Sequence, residues 1–64
     1  MIATYLRELN RINPFLWEVH TDGYSYEIWC EGSPTADPET GEWYGPLKRH
    51  DCEAILKQII DEVR

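Results

Sequence analysis

The stretch FLWEVHTDGYSYEIWCE, residues 15–31, decides how this chain folds. Phe15, Trp17 and Val19 fall on one side of an extended backbone, and Leu16, Glu18 and His20 fall on the other. This is the two-residue period of a strand. The alternation resumes beyond the middle, with Tyr24, Tyr26, Ile28 and Cys30 on one side and Ser25, Glu27, Trp29 and Glu31 on the other. Between the two runs stands Asp22-Gly23, a hairpin signal because a tight turn requires positive φ. A two-residue turn there places Val19 opposite Tyr26, Trp17 opposite Ile28 and Phe15 opposite Cys30 as core pairs. The other face then pairs His20 with Ser25, Glu18 with Glu27 and Leu16 with Trp29, so two carboxylates directly oppose each other.

On either side of the hairpin the period changes. Ile2, Tyr5, Leu6, Leu9 and Ile12 recur at three- and four-residue steps, which predicts a helix over 2–12. Asn13-Pro14 ends it, since the residue before proline is pushed out of the helical region. Cys52, Ile55, Leu56, Ile59, Ile60 and Val63 predict a second helix over 51–63, capped by His50 or Asp51 with Glu53 in its first turn. Gly32, Ser33 and Pro34 open a loop, the run DPETG at 37–41 reads as a second turn, and residues 42–44 make a short third strand before Gly45-Pro46. The fold class that follows is α+β in the order helix, β-hairpin, short strand, helix. Its economical packing is a three-stranded antiparallel sheet with both helices on one face, in a single small acidic domain spanning 1–64.

The charge is distributed unevenly. Among 64 residues, twelve Asp and Glu stand against six Lys and Arg, a net charge of −6. Residues 1–11 carry Arg7 and Arg11 against Glu8, and residues 48–64 carry four bases against four acids. Residues 12–47 hold Glu18, Asp22, Glu27, Glu31, Asp37, Glu39 and Glu42 with no Lys or Arg. The whole excess therefore lies in the hairpin and the loop that follows it.

Size and composition exclude several classes. A chain this short buries only about 60% of its surface on folding. A pocket of roughly 300 Å³ or more would consume its core, so a self-contained enzyme is not expected. Three Trp, four Tyr and one Phe mark a folding sequence rather than a disordered acidic one. No apolar run reaches membrane-spanning length, and no basic-then-apolar leader opens the chain, so the expected location is the cytoplasm. Cys30 and Cys52 do not form a disulfide framework and are expected as free, buried thiols.

Motif chemistry is sparse. His20, Cys30, His50 and Cys52 have the ligand number of a zinc site but not its paired spacing, and strand parity puts His20 and Cys30 on opposite faces. Glu18 and Glu27 would oppose each other on an open sheet without a cleft, which does not suit acid–base catalysis. No glycine-rich phosphate loop or nucleophile motif occurs. Lys48, Arg49 and His50 are the one basic cluster, too small for a nucleic-acid surface on a chain of this charge. Neither a cofactor nor a metal is expected.

The remaining expectation is a binding surface. Leu16, Glu18, Glu27, Trp29 and Glu31 share the face turned away from the helices, and Asp37 and Glu39 lie in the acidic loop. Tryptophan among polar groups suits an interface anchor. Side chains two apart on a strand are spaced about 6.8 Å, so Glu27 and Glu31, with Glu18 beside them, give an array aimed one way that can stand in for phosphates. The expected partner is a basic protein surface, with no direct contact to nucleic acid or membrane. In size and acidity the chain resembles small phage-encoded inhibitors of host enzymes, anti-CRISPR and anti-restriction proteins among them. That likeness is compositional and transfers no site residue. Two other classes share these bulk properties: a structural or accessory subunit or antitoxin-like homodimer, and a small metal-binding or catalytic domain.

Overall fold

The computed structural model describes residues 1–37 and 40–64. Helix α1 spans Ile2–Ile12, strand β1 Trp17–Thr21, β2 Tyr26–Cys30, β3 Ser33–Pro34, and helix α2 Arg49–Val63. The strands form one antiparallel sheet in the order β1-β2-β3, so the fold is α+β, as the periodicities require. Helix α1 stops where expected. Asn13 leaves the helical region at φ −144°, while its N–H still reaches the Leu9 carbonyl at 2.8 Å.

Leu9 of α1, Ile28 of β2, and Cys52, Leu56, Ile59 and Ile60 of α2 make the buried core. Trp17, Val19 and Tyr26 pack against it from the sheet, so both helices cover the face that these residues share. The helices run side by side in the same direction. The Met1 ammonium lies 3.5 Å from Glu53, and Glu8 lies 3.2 Å from Arg64. Their C-terminal ends therefore stand together.

The hairpin register departs from the expected one. Trp17 faces Cys30, Glu18 faces Trp29, Val19 faces Ile28, His20 faces Glu27 and Thr21 faces Tyr26. The connection is four residues long rather than two, because Asp22 organises it. Its carboxylate accepts hydrogen bonds from the Tyr24 and Ser25 amides, both at 2.8 Å, which keeps those residues in the loop. The Thr21 hydroxyl accepts a third bond from the Gly23 amide, at 3.0 Å, with Gly23 at φ 95°. Because the register moves by two residues, each side chain stays on its expected face. Phe15 is the exception. It precedes the strand and is half exposed rather than paired in the core with Cys30. The strand begins only at Trp17 because Leu16 turns to φ 55°.

Those two amide bonds, led by the one from Ser25, hold the Asp22 carboxyl below its ordinary range. A carboxylate with a depressed folded pKa contributes stability that is present above the unfolded pKa and lost as pH falls through the folded value. Urea midpoints should therefore drop between pH 7 and pH 3, and Asp22→Asn should show a shallower drop. An unchanged acid slope in the variant would remove Asp22 from this account.

The third strand is not at 42–44. Glu31 and Gly32, at φ 54° and 79°, form the mirror-image two-residue turn that suits a hairpin. The chain therefore reverses at once, pairing Cys30 with Ser33 and Trp29 with Pro34. Proline is tolerated there because the strand lies at a sheet edge. The other end of the same β2 edge is taken by Leu47, which exchanges two 2.9 Å backbone bonds with Tyr26. Trp43 pairs with Ala36 inside the intervening excursion rather than with β2. Helix α2 starts two residues earlier than expected. Lys48 stands at its N-cap without a side-chain bond, and neither His50 nor Asp51 caps it. Asp51 instead lies in the first turn, where a carboxylate suits the positive end of the helix dipole.

Candidate docking surface

Asn10 fixes the start of β1. Its side-chain oxygen accepts from the Trp17 amide at 2.8 Å, and its side-chain nitrogen donates to the Trp17 carbonyl at 2.9 Å. One side chain thus serves the edge of β1 as a neighbouring strand would. The Trp17 indole N–H adds a 3.1 Å bond to the Asn13 carboxamide oxygen. These bonds lock the short Pro14–Leu16 connection between helix and sheet. Within it Leu16 is 73% exposed.

Leu16 and Glu31 are the only non-glycine residues with left-handed φ among the described residues. They are held together: the Glu31 amide donates to the Phe15 carbonyl at 3.1 Å. Leu16, Glu18 and Glu31 line one groove of about 580 Å³, with Asn10, Pro14, Trp17 and Gly32 completing its walls. Three of the sequence-predicted binding residues therefore converge.

Glu27 and Trp29 lie beside this groove on the sheet face opposite the helices. The shifted register removes the expected opposition of Glu18 and Glu27, since Glu18 stands across from Trp29 and Glu27 across from His20. The half-buried Trp29 indole stacks on the His20 ring at 4.5 Å and 26° and donates to a Glu27 carboxylate oxygen at 3.2 Å. Glu18 lies 3.7 Å from His20 Nε2. The face is thus a connected set of Glu18, His20, Trp29 and Glu27. Sequence reasoning included three of these and missed His20, which only the true register brings against Trp29.

Asp37 belongs to the excursion, where its amide donates to the Glu42 carbonyl at 2.8 Å, rather than to this face. Glu39 lies outside the described residues. Asn10 was also missed, and no sequence signal distinguishes it from any polar residue on a helix.

Among the described residues no Lys or Arg pairs with a carboxylate of this surface. The ion pairs of Arg11, Arg49 and Arg64 are made with Glu8 and Glu53 on the helices. Glu18, Glu27 and Glu31 have no Lys or Arg partner among the described residues. Cys30 and Cys52 are free, with Cys30 only half-buried rather than fully so. Burial raises the pKa of both thiols. No group of three His, Cys, Asp or Glu side chains gathers around a metal-sized space among the described residues. No described helix is long and apolar enough to cross a membrane. No protein-family model, curated protein or solved structure matches the chain.

Proposed function

We propose that this chain is a non-enzymatic binding module that docks an acidic, apolar-centred surface onto a basic protein surface. Its nearest functional type is a small phage-type inhibitor of a host protein that handles nucleic acid, such as an anti-CRISPR or anti-restriction protein. The anchors are Leu16 and Trp29, and the charge comes from Glu18, Glu27 and Glu31.

One observation carries this reading. The two backbone outliers of the described chain flank the same groove, and one of them displays a leucine to water. A left-handed L-residue costs about 1–2 kcal/mol, and such strain concentrates at functional sites. Burying the exposed side chain in a partner would return about 1.5–3 kcal/mol. The uncompensated carboxylates around it would meet Lys or Arg in charge-assisted bonds.

The test is capture from a bacterial lysate on immobilised protein, with the double variant Glu18→Lys/Glu31→Lys as control. Both side chains are exposed, so the variant should keep its unfolding free energy in urea to within about 0.5 kcal/mol. The parent should retain a basic protein that moderate salt releases, because exposed charge pairs are screened. The folded variant should retain none. Equal capture by both proteins, or capture insensitive to salt, would rule the reading out.

A further inference from the structure

We propose that the groove between α1 and α2 is a second, separate site that binds a small anion with a flat apolar body. The groove has a volume of about 550 Å³, within the range that holds a small ligand. Tyr5 and Ile60 supply apolar surface within it. Arg7 and Arg11 line it from α1, and Lys57 and Arg64 line it from the C-terminal part of the chain. Four of the six Lys and Arg in a chain of net charge −6 thus line one groove, against two carboxylates, Glu8 and Asp61.

Glu8 organises the cations. Both Arg11 and Arg64 donate to the same oxygen, Glu8 Oε1, so two guanidinium groups converge from neighbouring helices. Hydrogen bonding from Arg11 holds the Glu8 carboxyl below its ordinary pKa range. Each guanidinium has five N–H donors, and these two spend three between them on Glu8. Both side chains are more than half exposed, so their remaining donors are open to a ligand. Arg7 and Lys57 form no ion pair among the described residues and lie on opposite walls. Forked guanidinium donors suit a phosphate, sulfonate or carboxylate, and the tyrosine ring suits a planar body. A second copy of the chain fits less well, because two molecules of net −6 repel each other.

The probe is anilinonaphthalene sulfonate, which joins an anion to a flat apolar body. Its fluorescence should rise on titration with the folded protein and fall with added salt. Amide shifts should centre on Tyr5, Arg7, Lys57 and Ile60. The variant Arg7→Glu/Lys57→Glu alters two exposed side chains and should bind at least about tenfold more weakly. The uncharged phenylnaphthylamine should bind the parent more weakly by a similar factor. The Glu18→Lys/Glu31→Lys variant should bind the probe like the parent, which separates this site from the docking surface. Equal affinity for the uncharged probe, no loss in the Arg7/Lys57 variant, or shifts centred on the sheet face would each overturn the proposal.

Discussion

Leu56→Ala should leave most of the chain unfolded at 25 °C. Leu56 has no exposed surface and shares the core with Leu9 of the neighbouring helix and Ile28 of the central strand. Truncating a leucine in such a position costs about 2–5 kcal/mol, the larger part when the cavity cannot collapse. Here two helices and a sheet hold the site from three sides, so little collapse is open to it. The total stability of a 64-residue chain is on the order of 3–10 kcal/mol, and small domains sit toward the lower end. The loss is therefore comparable with the whole. Circular dichroism at 25 °C and a urea titration read the outcome, with the exposed substitution Gln58→Ala as a control that should stay within about 0.5 kcal/mol of the parent. A cooperative transition for Leu56→Ala within about 1 kcal/mol of the parent would show that the helices do not close on Leu56 as described.

The second large effect separates stability from binding at Leu16. Glycine accepts positive φ freely, so Leu16→Gly relieves the strain at φ 55°. The added entropy of the unfolded chain offsets part of that gain, leaving a stabilisation of up to about 1 kcal/mol. Leu16→Ala keeps the strained backbone and should leave stability nearly unchanged, because the leucine side chain is mostly in water. If Leu16 anchors the proposed docking surface, both variants should bind a captured basic protein at least about tenfold more weakly, as removal of an interface anchor does. The signature is a variant that is more stable and less active than the parent. Retained affinity in both variants would remove Leu16 from the interface. Equal stability changes in the two would remove the strain argument while leaving the anchor in place.

The parts of this structure that were legible in the sequence are those set by a repeating period. The Ile2 to Ile12 and Cys52 to Val63 stripes predict the helices because each places its apolar side chains on one face. The alternation from Trp17 to Cys30 predicts the hairpin and assigns every strand side chain to its face. The register was not legible, because a single carboxylate, Asp22, decides it through two amide bonds that no period encodes. The slip was by two residues, so Glu18, Glu27 and Trp29 stay on the open face although their neighbours change.

The third strand was misplaced for a different reason. Ser33-Pro34 has the composition of a loop, and Trp43-Tyr44 that of a strand. Left-handed φ at Glu31, a residue with no preference for it, reverses the chain before the aromatic pair is reached. Parity alone places Leu16 on the open face. Its backbone conformation, which makes the stronger case, depends on the bonds of Asn10 to Trp17, seven residues on, and on the Glu31–Phe15 bond, and no repeating period encodes either.

The core is closed by α1 and α2, which lie on either side of the sheet in sequence, and this bears on how the protein is made. Synthesis delivers α1 and the hairpin first, at about 5–20 residues per second. Until α2 follows, Leu9, Trp17, Val19 and Ile28 have only each other and lack the cover that Cys52, Leu56, Ile59 and Ile60 provide, and a hairpin with so little packed on it is at best marginally stable. Folding must then wait for the codons of α2. A product interrupted before α2 would expose much of the apolar sheet face rather than form a weakened version of the native protein.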